Sequence, residues 1–151
     1  MRKLFITILI MAFSPFLGNA QDYNIKFEVK QNATTRMGTD WDYQYKDFKL
    51  MTPMFVTFDG KTLLMKNATI TNFKKDIISI NKAETKEIVY GNEIVTEEVL
   101  ILGVNGEYCT EYYLIKKEYL QKGGYIYSIY EPFVLKGRVS SYNIYRSGQM
   151  Q

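Results

Sequence analysis

The chain contains no histidine. That absence excludes the Ser-His-Asp and Cys-His arrangements in which an imidazole activates the nucleophile. It also excludes the usual zinc and copper sites, which draw on imidazole or on several thiolates. Cysteine is nearly as scarce. Cys109 stands alone, so no disulfide can form within the chain, and its expected place is that of a small buried hydrophobe. A strong charge of one sign is missing too. The formal net charge is +3, but two of the 19 basic residues are Arg2 and Lys3, which leaves 17 basic against 16 acidic residues beyond them. With no basic block or stripe, nucleic acid is not an expected partner. No apolar run reaches the ~20 residues of a transmembrane helix.

The one sustained apolar run lies at the start, in MRKLFITILIMAFSPFLGNA. Arg2 and Lys3 form a basic segment, Leu4 to Phe13 an apolar one, and Gly18 and Ala20 put small residues at the positions a signal peptidase reads. Residues 1–20 are therefore expected to be a cleaved signal peptide, and the protein to be exported, periplasmic or secreted. Cys109 is far from the cleavage position and cannot carry a lipid anchor there. Residues 21–151 are expected to form a single β-rich domain, since a chain of this length can bury a core without staples.

Beyond the leader, apolar and polar residues alternate with period two, and turn signals recur every ~8–12 residues. Ile25, Phe27 and Val29 share one strand face. Asn32 to Asp40 reads as a loop. Trp41, Tyr43 and Tyr45 share a face of a second strand, with a bulge or bend near Lys46-Asp47. Met54 to Phe58 and Lys61 to Lys66 flank Asp59-Gly60, a strong hairpin turn. Thr69 to Phe73 and Ile77 to Asn81 form a hairpin across Lys74-Lys75-Asp76. Gly91-Asn92 joins two further strands. Val99 to Val104 and Glu107 to about Ile115 flank Asn105-Gly106, where glycine is expected at positive φ. A turn or short helical segment follows to Lys122. Tyr125 to Tyr130 alternates until Glu131-Pro132 breaks it, and the last strands pair around Lys136-Gly137.

This pattern predicts an all-β fold of about ten short strands. Without a long crossover helix a parallel sheet is excluded. An antiparallel meander of this length must hide its edges. It is expected to close as a small barrel, similar in architecture to lipocalins although no lipocalin sequence motif is present, or else to fold as a two-sheet sandwich.

No catalytic residue, metal ligand or cofactor site is assigned. Asp40, Asp42 and Asp47 cluster, but the stretch lacks the glycine and terminal glutamate of a calcium loop and reads as solvated charge. Glu97-Glu98 has no assignable partner. The sequons at Asn32 and Asn67 read as incidental. The functional lead is aromatic. Trp41, Tyr43, Tyr45, Tyr125 and Tyr127 are the candidate ligand-binding residues, because tyrosine and tryptophan pair a flat apolar body with a polar handle. They suit a small apolar or amphipathic ligand or a glycan, against the alternative of plain cross-strand packing. The expected function is therefore an exported, non-catalytic binding domain. An envelope protein that contacts another protein is the alternative, and a histidine-free hydrolase the third reading.

Overall fold

The computed structural model describes residues 23–36 and 48–148. Trp41, Tyr43, Tyr45, the bend near Lys46-Asp47, the acidic cluster and the leader lie outside the described residues. Among the described residues nine strands are present: β1 (Ile25–Arg36), β2 (Lys49–Phe58), β3 (Thr62–Lys66), β4 (Thr71–Lys82), β5 (Lys86–Tyr90), β6 (Glu93–Asn105), β7 (Thr110–Leu120), β8 (Tyr125–Leu135) and β9 (Arg138–Arg146). Among the described residues there is no helix.

Every pairing is antiparallel, and the order is β4-β3-β2-β1-β9-β8-β7-β6-β5, with β4 also paired to β6. That last pairing closes the sheet. Strands β1 to β4 and β6 to β9 form an eight-stranded barrel, sealed by β1 on β9 and by β4 on β6. Strand β5 stays outside the ring, because β4 occupies one half of the β6 edge and β5 the other. The barrel is chosen over the sandwich. Consecutive strands are neighbours throughout the ring, the expectation for tight hairpins.

Alternation sets the inside. Phe27 and Val29 on β1, Val56 and Phe58 on β2, Leu63 and Met65 on β3, Leu102 on β6 and Ile115 on β7 are buried in one cluster. The charges face out: Lys26, Lys30, Lys66, Lys74 and Asp76 are exposed. This polarity is the reverse of a transmembrane barrel, which carries an apolar band outside. No helix among the described residues is long and apolar enough to cross a membrane. Part of the outer wall is buried as well. Ser128 and Tyr130 on β8 and Ile144 on β9 have the outward parity, yet are 3%, 1% and 0% exposed.

The strands are longer than the alternation predicted. The expected loop from Asn32 is strand to Arg36, because those residues pair with Ser141 to Tyr145 on β9. Lys74-Lys75-Asp76 is not a turn: it continues β4 through pairs with Leu64, Leu63 and Thr62. The segment after Ile115 is strand to Leu120, not a helical turn. Pro132 does not break β8. The β7–β8 ladder ends at Leu114–Tyr130, so Pro132 sits where β8 has a neighbour on one side only, a place that tolerates a missing N–H.

Three turns match expectation, among them Gly91-Asn92, which joins β5 to β6 with Gly91 at φ 60°. Gly60 has φ 93°, and Asp59 Oδ1 accepts from the N–H groups of Lys61 and Thr62 at 2.9 and 2.7 Å. Lys136 and Gly137 have φ 51° and 76°, the paired positive values of a tight hairpin turn. Asn105-Gly106 differs. It opens a wider loop closed by Gly106 N–H donating to the Cys109 carbonyl at 3.0 Å. Glycine is required there by close approach rather than by φ, since a Cβ would lie 2.5 Å from the Cys109 carbonyl oxygen. Cys109 is exposed in that loop rather than buried.

Candidate functional site

The barrel ends differ in chemistry. At the end where β1 and β8 begin lies an open cavity of ≈ 400 Å³. Its lower wall is apolar: Ile25 from β1, Leu100 from β6 and Ile115 from β7, with Tyr23 before β1 at the side. Tyr23 packs on Phe58 with ring centroids 5.4 Å apart. Tyr127, also in the lining, stacks on Phe27 at 4.7 Å and 8°.

Register creates the polar part. Glu98 on β6 pairs with Lys117 on β7, and Lys117 pairs with Tyr127 on β8. One inward row therefore carries a carboxylate, an ammonium and a phenol, one step above the Leu100–Ile115–Ile129 row. Lys82, at the end of β4, adds a second ammonium to the lining. The Lys117 Nζ lies 4.8, 4.6 and 5.3 Å from the ring centroids of Tyr119, Tyr125 and Tyr127. Its pKa is raised, first by hydrogen bonding to Tyr119, so the ammonium is charged at neutral pH. Tyr125 meets Tyr127 edge-on at 5.6 Å.

The candidate residues thus divide. Tyr127 lines the cavity and Tyr125 stands beside it. Trp41, Tyr43 and Tyr45 lie outside the described residues. Tyr145, in the last strand, is elsewhere in the interior, near the opposite end. There its hydroxyl donates to Glu131 at 3.2 Å and accepts from Asn72 at 3.3 Å, while Asn143 Nδ2 donates to Glu131 at 3.3 Å. This network bridges β4, β8 and β9, and its groups satisfy one another. Burial, followed by the charge of Glu131, raises the pKa of the neighbouring Tyr113 phenol strongly.

Reasoning from sequence missed Lys82, Glu98 and Lys117. The sequence offers Lys116 and Lys117 equally, one in each parity of β7, and the burial of Tyr113 and Ile115 selects the parity of Lys117. The Glu97-Glu98 pair is resolved by the same parity. Glu97 turns outward to Lys116, 3.5 Å away, while Glu98 turns inward to the cavity. Among the described residues no group of three or more histidine, cysteine, aspartate or glutamate side chains could hold a metal ion. The arrangement can enclose an apolar group at its floor and meet polar atoms at its rim. No protein-family model, curated protein or solved structure matches the chain.

Proposed function

We propose that this chain is an exported, non-catalytic binding protein whose barrel mouth holds a small apolar or amphipathic ligand. The observation that carries the reading is the ≈ 400 Å³ cavity, within the range of about 300–1,000 Å³ usual for ligand sites and open at one end of a barrel, a favoured location for them. An aliphatic floor below a rim of lysines and tyrosines suits an amphipathic molecule better than a glycan, which would meet few hydrogen-bonding groups at the floor. The leader supports export.

The test is a titration with N-phenyl-1-naphthylamine, a neutral apolar dye. Saturable single-site fluorescence enhancement is expected, and it should be abolished by Leu100→Trp, which fills the cavity, without loss of the cooperative melt. Enhancement that never saturates, or that ignores Leu100→Trp in a folded variant, would count against the reading. A second reading, contact with another envelope protein, draws on the opposite end, where Tyr108, Phe133 and Leu135 are 71%, 51% and 55% exposed.

A further inference from the structure

The mouth carries more than an apolar cavity, and its charges narrow the class of ligand. Two ammonium groups, Lys82 and Lys117, face one carboxylate, Glu98, in its lining. Lys117 and Glu98 are cross-strand partners, yet they form no ion pair with each other, in contrast to Lys116 and Glu97. Glu98 therefore does not neutralise Lys117 within 4.0 Å. Lys117 is held instead over the rings of Tyr119, Tyr125 and Tyr127. The side chains of Tyr119 and Tyr127 hydrogen-bond the ammonium, which leaves one of its three donors for an incoming acceptor. The contrast with Lys116, the adjacent residue, is direct: Lys116 points outward and is paired with Glu97 at 3.5 Å.

We propose that the ligand of this mouth is a single-chain amphiphile with an anionic head group, its chain on Ile25, Leu100 and Ile115 and its head on Lys117, with Lys82 as the second cation. The proposal rests on the binding-protein reading above and deepens it. Three features select this class. The floor accepts hydrocarbon and offers it no polar partner. The rim has an excess of one positive charge, which disfavours a cationic head. The tyrosine rings fix the ammonium at the boundary between the two regions, where a head group would sit. A bond from a fixed ammonium to a carboxylate or phosphate is charge-assisted, the stronger class of hydrogen bond.

The experiment measures binding of four twelve-carbon probes by isothermal titration calorimetry at neutral pH: laurate, monododecyl phosphate, dodecanol and dodecyltrimethylammonium. Laurate or monododecyl phosphate should bind at least about tenfold more tightly than dodecanol, the size expected of one charge-assisted contact. Whichever of the two binds more tightly identifies the head as carboxylate or phosphate. Lys117→Met, which keeps the aliphatic stem, should reduce that advantage to less than about threefold, chiefly by weakening the anionic probes. Lys117→Gln serves the same purpose if the methionine variant does not fold, and Lys116→Met, on the outer wall, should leave the advantage intact. Equal affinity for the anionic probes and dodecanol overturns the head-group inference and leaves the binding reading standing. Preference for dodecyltrimethylammonium makes Glu98 the anchor and also overturns it. Failure of all four probes and of the neutral dye removes both.

Discussion

Tyr113 shows how one side chain couples the interior to pH. It is 2% exposed, and its ring meets Phe73 at 5.4 Å. Desolvation, and then the nearby charge of Glu131, lift its pKa well above the usual 10.0. Tyr145 shifts in the same direction, again chiefly through burial. A phenol whose folded pKa is raised favours the fold fully below the unfolded value. As pH climbs past 10, the unfolded chain releases protons that the barrel retains, so stability falls. The expected outcome is loss of stability above about pH 10 that is shallower in Tyr113→Phe, measured by urea denaturation at several alkaline pH values. An identical slope in the two proteins would rule Tyr113 out as a contributor. None of this could be read from the sequence, where Tyr113 is one of 13 tyrosines. Its partners Phe73 and Glu131 lie on β4 and β8, and only the closed ring brings them together.

The strand scale shows what period two reveals and where it stops. The alternation of Ile25, Phe27 and Val29, and of Tyr125, Tyr127 and Ile129, was legible as two shared strand faces, and the barrel turns Phe27, Val29 and Ile129 into its core. Strand lengths were less so. Lys74-Lys75-Asp76 reads as a turn because three charges interrupt an apolar pattern, but Lys74 and Asp76 are exposed and suit the outer wall of a strand equally well. Lys116-Lys117 was ambiguous for a related reason. The rows Tyr112-Leu114-Lys116 and Tyr113-Ile115-Lys117 have the same composition type, so only register decides which lysine enters the cavity. Closure itself was expected, but its seam was not locatable. It runs between β4 and β6, where Ser79 pairs with Gly103. A Cβ on Gly103 would collide with Ser79 Oγ, and would stand 3.4 Å from Ser79 Cβ and 3.5 Å from Thr110 Cγ2. Because the hydroxyl can rotate away, Gly103→Ala should cost little. Gly103→Val adds branches that the seam cannot absorb, and should destabilise by on the order of 1–3 kcal/mol, as overpacking does. Chemical denaturation of both variants is the measurement, and equal stability would show that the seam is looser than these distances imply.

At the scale of the molecule, both seams of the barrel are built from residues of β1, β4, β6 and β9. Its first strand opens at Ile25, opposite Phe58, and the apolar cluster is drawn from all eight strands of the ring. Removal of residues 1–20 therefore takes nothing from either seam. It also spares Tyr23, which packs on Phe58 and forms a side of the mouth. A chain beginning at Gln21 should fold unaided and give a β-type circular dichroism spectrum without helical minima. It should melt within a few degrees of the full chain, because both seams are built from β1, β4, β6 and β9. A chain beginning at Ile25 should also fold, but with a mouth open on the Tyr23 side, so that its affinity for N-phenyl-1-naphthylamine falls several-fold. The same reasoning sets the expectation in the native host. Intact-mass analysis of the exported protein should give a chain starting at Gln21, as the free amine or as pyroglutamate. A mature terminus beyond Asn24 would contradict the assigned cleavage position and would also leave the proposed binding mouth without one of its walls.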